Sequence, residues 1–183
     1  MAWRTLPDAE YLHQCFSYDP DAGALTWRWR PRNHFPTDRE YMRWNSTWRG
    51  KRAGSATSVD VVNVKIDSRL FAAHRIIWKM GTGEDPPDQI DHINRNPLDN
   101  RWVNLRLATH SQNVSNKSRY RNNTTGAKGV RITKLSYPRP YQARIRVNGN
   151  LMHLGSFSTI EEARGAYAAA AKHYFGEFWS DGS

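Results

Sequence analysis

One stretch of the chain, residues 89–116, concentrates imidazole, carboxamide and carboxylate groups between turn signals and short apolar segments. Its His92 carries an imidazole that can take a proton from water near neutral pH. Asp91 and Asn113 offer oxygen atoms that can bind a divalent cation. A base that activates water and a cation that stabilises the leaving oxygen could together hydrolyse a phosphodiester. We therefore predict that this stretch is an active site.

Two short strands, a long polar loop and a helix should position these groups. The loop contains the turn-forming pairs Asn96-Pro97 and Asp99-Asn100. The apolar residues that indicate the strands are Ile90 and Ile93 for the first, and Leu105 and Leu107 for the second. Thr109 followed by Gln112 has the spacing of a capping box, which predicts the start of the helix. In a regular strand, the adjacent Asp91 and His92 would point to opposite faces.

The composition indicates a polyanionic partner. The 183 residues include 27 Lys and Arg against 17 Asp and Glu, which gives a formal net charge of +10. These basic residues are spread along the whole chain, and eight Trp and eight Tyr are interleaved with them. Such surfaces suit contacts with phosphates, sugars and bases. The alternative is a soluble basic protein without a nucleic-acid partner.

The single cysteine, Cys15, excludes a disulfide within the chain and a cysteine-ligated zinc site. We expect a reducing, intracellular setting. No apolar run approaches the roughly 18 residues that a membrane span requires, so we expect no membrane anchor.

The N-terminal half should combine short helices and strands. We predict a helix over residues 6–16, a hairpin-like element over 18–29, strands at 59–66 and 69–73, and a helix over 72–80. Residues 30–54 mix arginine with tryptophan and tyrosine, and we expect an irregular loop that lies on the partner. The alternative is a solvated surface whose tryptophans attach it to the core. His74 and Arg75 stand at the start of the last helix, and we interpret His74 as structural.

The C-terminal part predicts three strands and one helix. The strands are 129–132, 141–147 and 151–155, with a tight turn at Asn148-Gly149. Thr159 and Glu162 have capping-box spacing and should begin the helix. On the second strand, Arg144 and Arg146 alternate with apolar residues, so they should share the face opposite this helix. Residues 118–128 are polar and basic, and we expect them to form a linker.

The central motifs resemble those of HNH homing endonucleases of phages and introns. The matching motifs are Asp91-His92-Ile93-Asn94, Asp99-Asn100-Arg101, Asn104-Leu105-Arg106 and the run from Ala108 to Asn113. The resemblance implies a ββα-metal fold, with His92 as general base and Asn104 as the residue that orients it. It also implies that Asp91 and Asn113 hold one divalent metal ion. Because Asn113 stands where many such proteins have a third histidine, Mg²⁺ or Mn²⁺ is favoured over zinc.

His110 is the competing candidate for that third position. The resemblance also extends upstream, to motifs typical of the N-terminal region of such phage endonucleases. These motifs are Tyr18-Asp19-Pro20, Leu25-Thr26-Trp27, Trp44-Asn45 and Ala73-His74-Arg75.

The C-terminal part resembles the DNA-binding domain of plant ethylene-response factors. The matching motifs are Gly129-Val130-Arg131, Ala143-Arg144-Ile145-Arg146, Leu154-Gly155-Ser156-Phe157, Glu161-Glu162-Ala163 and Ala166-Tyr167. The resemblance implies that Arg131, Arg144 and Arg146 contact double-stranded DNA. Further DNA-binding candidates are Lys128, Arg119, Arg121 and Arg75. Leu151, His153 and Arg144 depart from that family's usual residues, so its target sequence is not carried over.

The predicted fold class is therefore α+β. An HNH ββα-metal core carries a small N-terminal β/α extension and is followed by a separate three-stranded antiparallel sheet packed on one helix. The predicted domains are a DNA-binding scaffold (1–88), the catalytic motif (89–117), a basic linker (118–128) and a DNA-binding domain (129–179). We expect a monomeric, phage-encoded enzyme that acts inside a bacterial host. The alternative is an inactive, sequence-specific DNA-binding regulator on a nuclease scaffold.

Overall fold

The computed structural model describes residues 5–56, 61–118, 122–134 and 137–181 and divides into two compact units, Met1–Leu107 and Ala108–Ser183. The fold is α+β, as predicted, with several small sheets and five α-helices among the described residues. No helix of this described part is long and apolar enough to cross a membrane. The predicted domain boundaries remain predictions, and each unit is described separately below.

The described residues of the first unit form three α-helices and seven strands, and the last strand ends one residue beyond the unit. The helices are α1 (Ala9–Cys15), α2 (Asp38–Trp48) and α3 (Ala73–Thr82). The strands are β1 (Phe16–Asp19), β2 (Ala24–Trp27), β3 (Ser55–Ala56), β4 (Val62–Ile66), β5 (Arg69–Ala72), β6 (Gln89–His92) and β7 (Leu105–Ala108). They form the pairs β1-β2 and β6-β7 and the antiparallel sheet β3-β4-β5.

The core of this unit is built from α1, the β1-β2 hairpin, the β3-β4-β5 sheet and α3. Phe16, Leu12, Ile66, Ile76 and Val64 are almost completely buried there. Gly83 adopts a left-handed conformation (φ 82°) and ends α3, as the glycines in this segment predict. The hairpin, the two strands and the helix expected in these segments are confirmed.

The expected irregular loop over residues 30–54 is wrong, because α2 occupies its centre. The side chain of Thr37 accepts a hydrogen bond from the Glu40 backbone N–H at 3.2 Å and caps the helix. Asn45 is 1% exposed, and its carboxamide pairs with the backbone N–H and C=O of Arg30. Arg30 is itself buried and forms an ion pair with Asp67 at 2.9 Å, so it contributes to the core.

The second unit contains two helices and three strands. They are α4 (His110–Asn116), β8 (Val130–Ile132), β9 (Tyr141–Val147), β10 (Asn150–Phe157) and α5 (Ile160–Phe175). The strands form an antiparallel sheet in the order β10-β9-β8, and α5 packs on it around Ala143, Ile145, Ala163 and Ala171. Both predicted capping boxes, at Thr109/Gln112 and Thr159/Glu162, are present. The three-stranded sheet on one helix is therefore confirmed.

Candidate active site

His92 is the last residue of β6 and is 8% exposed. Its Nε2 lies 3.0 Å from the Oδ1 atom of Asn100. Because a carboxamide oxygen only accepts hydrogen bonds, Nε2 must carry the proton in this contact. The neutral imidazole then has its lone pair on Nδ1, which is the atom that can take a proton from water.

The N-terminal hairpin holds the loop that carries Asn100. Tyr18 in β1 donates from its hydroxyl to the Asn100 carbonyl oxygen at 2.9 Å. The hairpin turn reaches the same backbone through Gly23, which has φ 62°. A Cβ atom at Gly23 would lie 2.7 Å from the Asn100 carbonyl carbon, so only glycine permits this approach. The hairpin therefore helps to position the partner of His92.

Asn104 joins the two ends of the same loop. Its Oδ1 accepts from the Asn94 backbone N–H at 2.9 Å, and its Nδ2 donates to the carbonyl of Asp99 at 2.7 Å. Its own carbonyl accepts from the backbone N–H of Ile93 at 2.9 Å. Asn104 is 5% exposed, so these hydrogen bonds fix the loop next to His92 from a buried position. The direct orienting role for Asn104 remains a prediction.

Trp102 attaches this loop to α3. Its ring stacks on Trp78 at a centroid distance of 5.3 Å. It also lies over Gly81, where an added Cβ would come within 2.8 Å of the Trp102 ring. The loop that carries Asn100 is therefore held by the hairpin and by a helix of the same unit.

Asp91 is a buried carboxylate, 4% exposed, whose charge is balanced by an arginine. Arg106 in β7 donates from Nε to Asp91 Oδ2 at 2.9 Å. A buried carboxylate needs such a partner because an isolated charge is very unfavourable in a protein interior. Asp91 and His92 contact different groups, Arg106 and Asn100, as expected for neighbours on a strand.

His74, at the start of α3, packs edge-on against His92 with the ring centroids 5.2 Å apart. Burial is the largest cause of the lowered pKa of His74, about 3, with smaller contributions from the His92 ring when it is protonated and from the Arg75 guanidinium. His74 is therefore neutral near pH 7 and adds no charge beside His92. This agrees with its interpretation as a structural histidine.

The predicted metal ligands have the donor chemistry that Mg²⁺ prefers, a carboxylate and a carboxamide oxygen. Asp91 belongs to the first unit, whereas Asn113 lies in α4 of the second, so their pairing remains a prediction. His110 is the exposed first residue of α4. Among the described residues, no group of three or more His, Cys, Asp and Glu side chains could hold a metal ion. The predicted donor set of one carboxylate and one carboxamide therefore remains a prediction.

Three predicted DNA-binding arginines share one face of the C-terminal sheet. Arg131 pairs in register with Gln142, and both Arg131 and Arg144 donate to Gln142 Oε1, at 3.1 and 2.9 Å. Arg146 lies two residues further along β9 and is exposed. The alternating Ala143 and Ile145 are buried against α5, so the arginines occupy the opposite face.

The remaining DNA-binding candidates have different surroundings. Lys128 donates from Nζ to the carbonyl oxygens of Ser115, Lys117 and Ser180. Arg75 is 6% exposed and donates to the carbonyl of Asp88 at 3.3 Å. Arg119 and Arg121 lie outside the described residues. The DNA-binding roles of these four residues remain predictions.

Two contacts at the site were not predicted from the sequence, namely Asn100 with His92 and Arg106 with Asp91. From the sequence, Asn100 is part of a turn and of a motif, and Arg106 is part of a motif, without an assigned role at the site. One sequence feature could have indicated both contacts: each residue is polar and lies in the loop or strand that follows β6 and folds back onto it. The register that pairs them with β6 is a tertiary property.

Residues 71–115 match the sequence model of a family described as HNH endonuclease. The matched segment runs from β5 into α4 and includes Asp91, His92, Asn100, Asn104 and Asn113. This segment of the chain is therefore similar to the HNH endonuclease family. The match ends before the C-terminal sheet.

Two viral proteins are similar to the chain. An uncharacterized HNH endonuclease of Acanthamoeba polyphaga mimivirus is 38% identical over 117 residues, which is 63% of this chain and 59% of that protein. Protein 3.8 of Escherichia phage T7 is 39% identical over 62 residues, or 33% of this chain and 51% of that protein. The chain thus spans between about half and three fifths of these relatives. No solved structure matches it.

Proposed function

We propose that this protein is a metal-dependent DNA endonuclease, with residues of the segment 89–116 performing phosphodiester hydrolysis. The observation that carries the proposal is the contact between His92 Nε2 and Asn100 Oδ1 inside the segment that matches the HNH family. Because this contact places the proton on Nε2, Nδ1 of His92 is assigned as the base. The hydrogen bonds of Asn104 hold the loop that carries Asn100.

In the proposed reaction, His92 takes a proton from the attacking water through Nδ1, while Asn100 holds the proton on Nε2. Asp91 and Asn113 would hold one Mg²⁺ or Mn²⁺ ion through oxygen atoms. When bound, this cation stabilises negative charge on the leaving oxygen. Arg106 balances the charge of Asp91 and keeps its carboxylate in a defined position.

The C-terminal unit is proposed to bind double-stranded DNA through the sheet face that carries Arg131, Arg144 and Arg146, in the manner of an ethylene-response-factor domain. Three strands packed on one helix, with arginines on the open face, support this role. We also propose that it is a phage-encoded homing endonuclease that acts as a monomer inside a host cell. The viral origin of the two relatives supports the phage origin.

The test is cleavage of supercoiled plasmid DNA by the full-length chain with Mg²⁺ and with EDTA. We expect nicked or linear product only with the metal ion. His92→Ala should lower the cleavage rate by roughly 100-fold or more, because the general base is removed. DNA binding should be unchanged, because no lysine or arginine is removed.

Arg164→Ala is the matched control, because Arg164 is an exposed side chain on α5 outside the site. Cleavage by His92→Ala at the wild-type rate would contradict the assignment of the base. DNA binding without cleavage by the wild-type protein would favour the inactive regulator instead.

A further inference from the structure

A second concave surface of the first unit lies among α2, β2 and the β3-β4-β5 sheet. The cavity has a volume of about 610 Å³, within the range of roughly 300–1,000 Å³ that holds small organic ligands. We call it the tryptophan groove. Its aromatic lining consists of Trp27, Phe35, Trp44 and Trp48. None of these residues belongs to the candidate active site.

The aromatic side chains of the groove form a fixed inner wall and one exposed face. Trp27 and Trp44 pack edge to face at 4.9 Å, and Phe35 packs on Trp44 at 5.6 Å. Trp48, the last residue of α2, is 45% exposed, with the Lys51 ammonium 5.7 Å from its ring centre. An exposed indole in a pre-formed apolar cavity offers a flat ligand a stacking surface.

The charges of the groove are positive. Arg30, Arg52 and Lys65 are the basic residues of its described lining, and Asp67 is the acidic one. Because Asp67 pairs with the buried Arg30, the exposed Arg52 and Lys65 give the rim its charge. The polar groups of Ser55, Asn63 and Ser68 also line the groove. A suitable ligand therefore combines an aromatic, hydrogen-bonding ring with negative charge beside it.

We infer that the tryptophan groove binds one unpaired nucleobase of a DNA strand, stacked on Trp48, with the flanking phosphates on Arg52 and Lys65. Aromatic stacking recognises every base by its π-face, and cations beside it hold the strand. The inference rests on the proposed function in one respect, since it takes DNA as the ligand. It gives the enzyme a preference for DNA in which a base has left the helix.

The experiment measures binding of the full-length chain to three duplex oligonucleotides of one sequence, in EDTA, by fluorescence anisotropy. The first is fully paired, the second has a single-nucleotide adenine bulge, and the third has an abasic bulge. We expect the adenine bulge to bind about 10-fold more tightly than the other two, since stacking of one base contributes about 1–3 kcal/mol. The abasic bulge controls for the flexibility that any bulge gives to DNA.

Trp48→Ala should abolish this preference, whereas Trp29→Ala should retain it. Trp29 is a close match, because it is 44% exposed and has a cation, Arg49, 5.4 Å from its ring, but it does not line the groove. In addition, 2-aminopurine placed in the bulge should lose fluorescence on binding to the wild-type protein and keep it with Trp48→Ala.

Equal binding of the adenine and abasic bulges by the wild-type protein would overturn the inference, as would equal losses in the two tryptophan variants. The plasmid cleavage assay distinguishes a failure of this inference from a failure of the proposed function. A protein that cleaves plasmid DNA without preferring the bulge has the nuclease activity and lacks the base site. A protein that prefers the bulge but does not cleave has the base site alone.

Discussion

The two units of this protein place their polar side chains differently. The first unit buries charged and carboxamide groups, among them Arg30, Asp91, His92, Asn100 and Asn104. The second unit keeps Arg131 and Arg146 exposed on an open sheet face and buries small apolar residues beneath it. Burial is costly for polar groups unless each finds a partner, and the first unit supplies those partners.

The difference suggests a division of labour. Buried, hydrogen-bonded groups are pre-organised, which favours chemistry on a defined geometry. Exposed arginines are free to follow phosphates, which favours affinity that depends on salt. Changes in the first unit should therefore alter the cleavage rate, and changes on the sheet should alter binding.

The largest effect after loss of His92 itself is expected at Asn100. Asn100→Leu removes the acceptor for His92 Nε2, so the imidazole loses its fixed orientation and proton placement. We expect the single-turnover cleavage rate to fall about 10–100-fold, as for other residues that orient a catalytic group. Asn100→Asp keeps an acceptor oxygen and should recover much of the rate. An equally slow Asn100→Asp would show that the side chain acts in folding alone.

A smaller effect, on binding, is expected for the double variant Arg131→Ala/Arg146→Ala. Loss of two phosphate contacts should reduce DNA affinity and lower the slope of log K against log salt by about 2. The measurement is anisotropy with duplex DNA over a range of NaCl concentrations. Arg164→Ala, on α5, should leave the slope unchanged. An unchanged slope in the double variant would show that the sheet face does not contact DNA phosphates.

Gly23→Ala tests whether the hairpin supports the catalytic loop. The new Cβ would meet the Asn100–Arg101 backbone, and alanine is strained at φ 62°. We expect the free energy of unfolding to fall by roughly 1–3 kcal/mol and cleavage to slow. Gly149→Ala, a positive-φ position with open space around it, is the control for strain alone. Equal cleavage rates in the two variants would contradict the supporting role of the hairpin.

An effect that appears only at acidic pH, and in stability rather than in cleavage at neutral pH, is expected for His74. The pKa of His74 falls from 6.5 to about 3 on folding. Between these two pH values the unfolded chain binds a proton at His74 and the folded chain does not. Stability should therefore decrease as the pH falls from about 6.5 towards 3, with a contribution of at most about 1.4 kcal/mol per pH unit. His74→Phe should show a shallower decrease in urea unfolding over this range. An identical slope would mean that His74 is protonated in the folded state.

Local signals predicted much of the fold. The Asn148-Gly149 turn and the capping boxes at Thr109 and Thr159 are present, because each depends on neighbouring residues. The same type of signal existed for α2, where Thr37 precedes Glu40 by three residues. There, the surrounding arginines and tryptophans favour an interpretation as a DNA-facing loop, although Phe35 and Trp44 pack against Arg30.

The site was predicted less completely than the fold. His92 was identified by its chemistry and motif, but its contact with Asn100 depends on how the loop returns to β6. The support of Asn100 by Tyr18 joins residues 82 positions apart, which no local pattern encodes. The burial of Arg75 follows from the packing of α3, and its sequence neighbours do not reveal it.

The central claim is that the buried groups around His92 set the rate and the arginines of the C-terminal sheet set the affinity for duplex DNA. Single-turnover cleavage measured over a range of protein concentrations gives both quantities for one DNA substrate. Asn100→Leu should lower the maximal rate and keep the half-saturating concentration, whereas Arg131→Ala/Arg146→Ala should do the reverse. If both variants shifted both quantities together, the division of labour between the His92 site and the arginine-bearing sheet face would be contradicted.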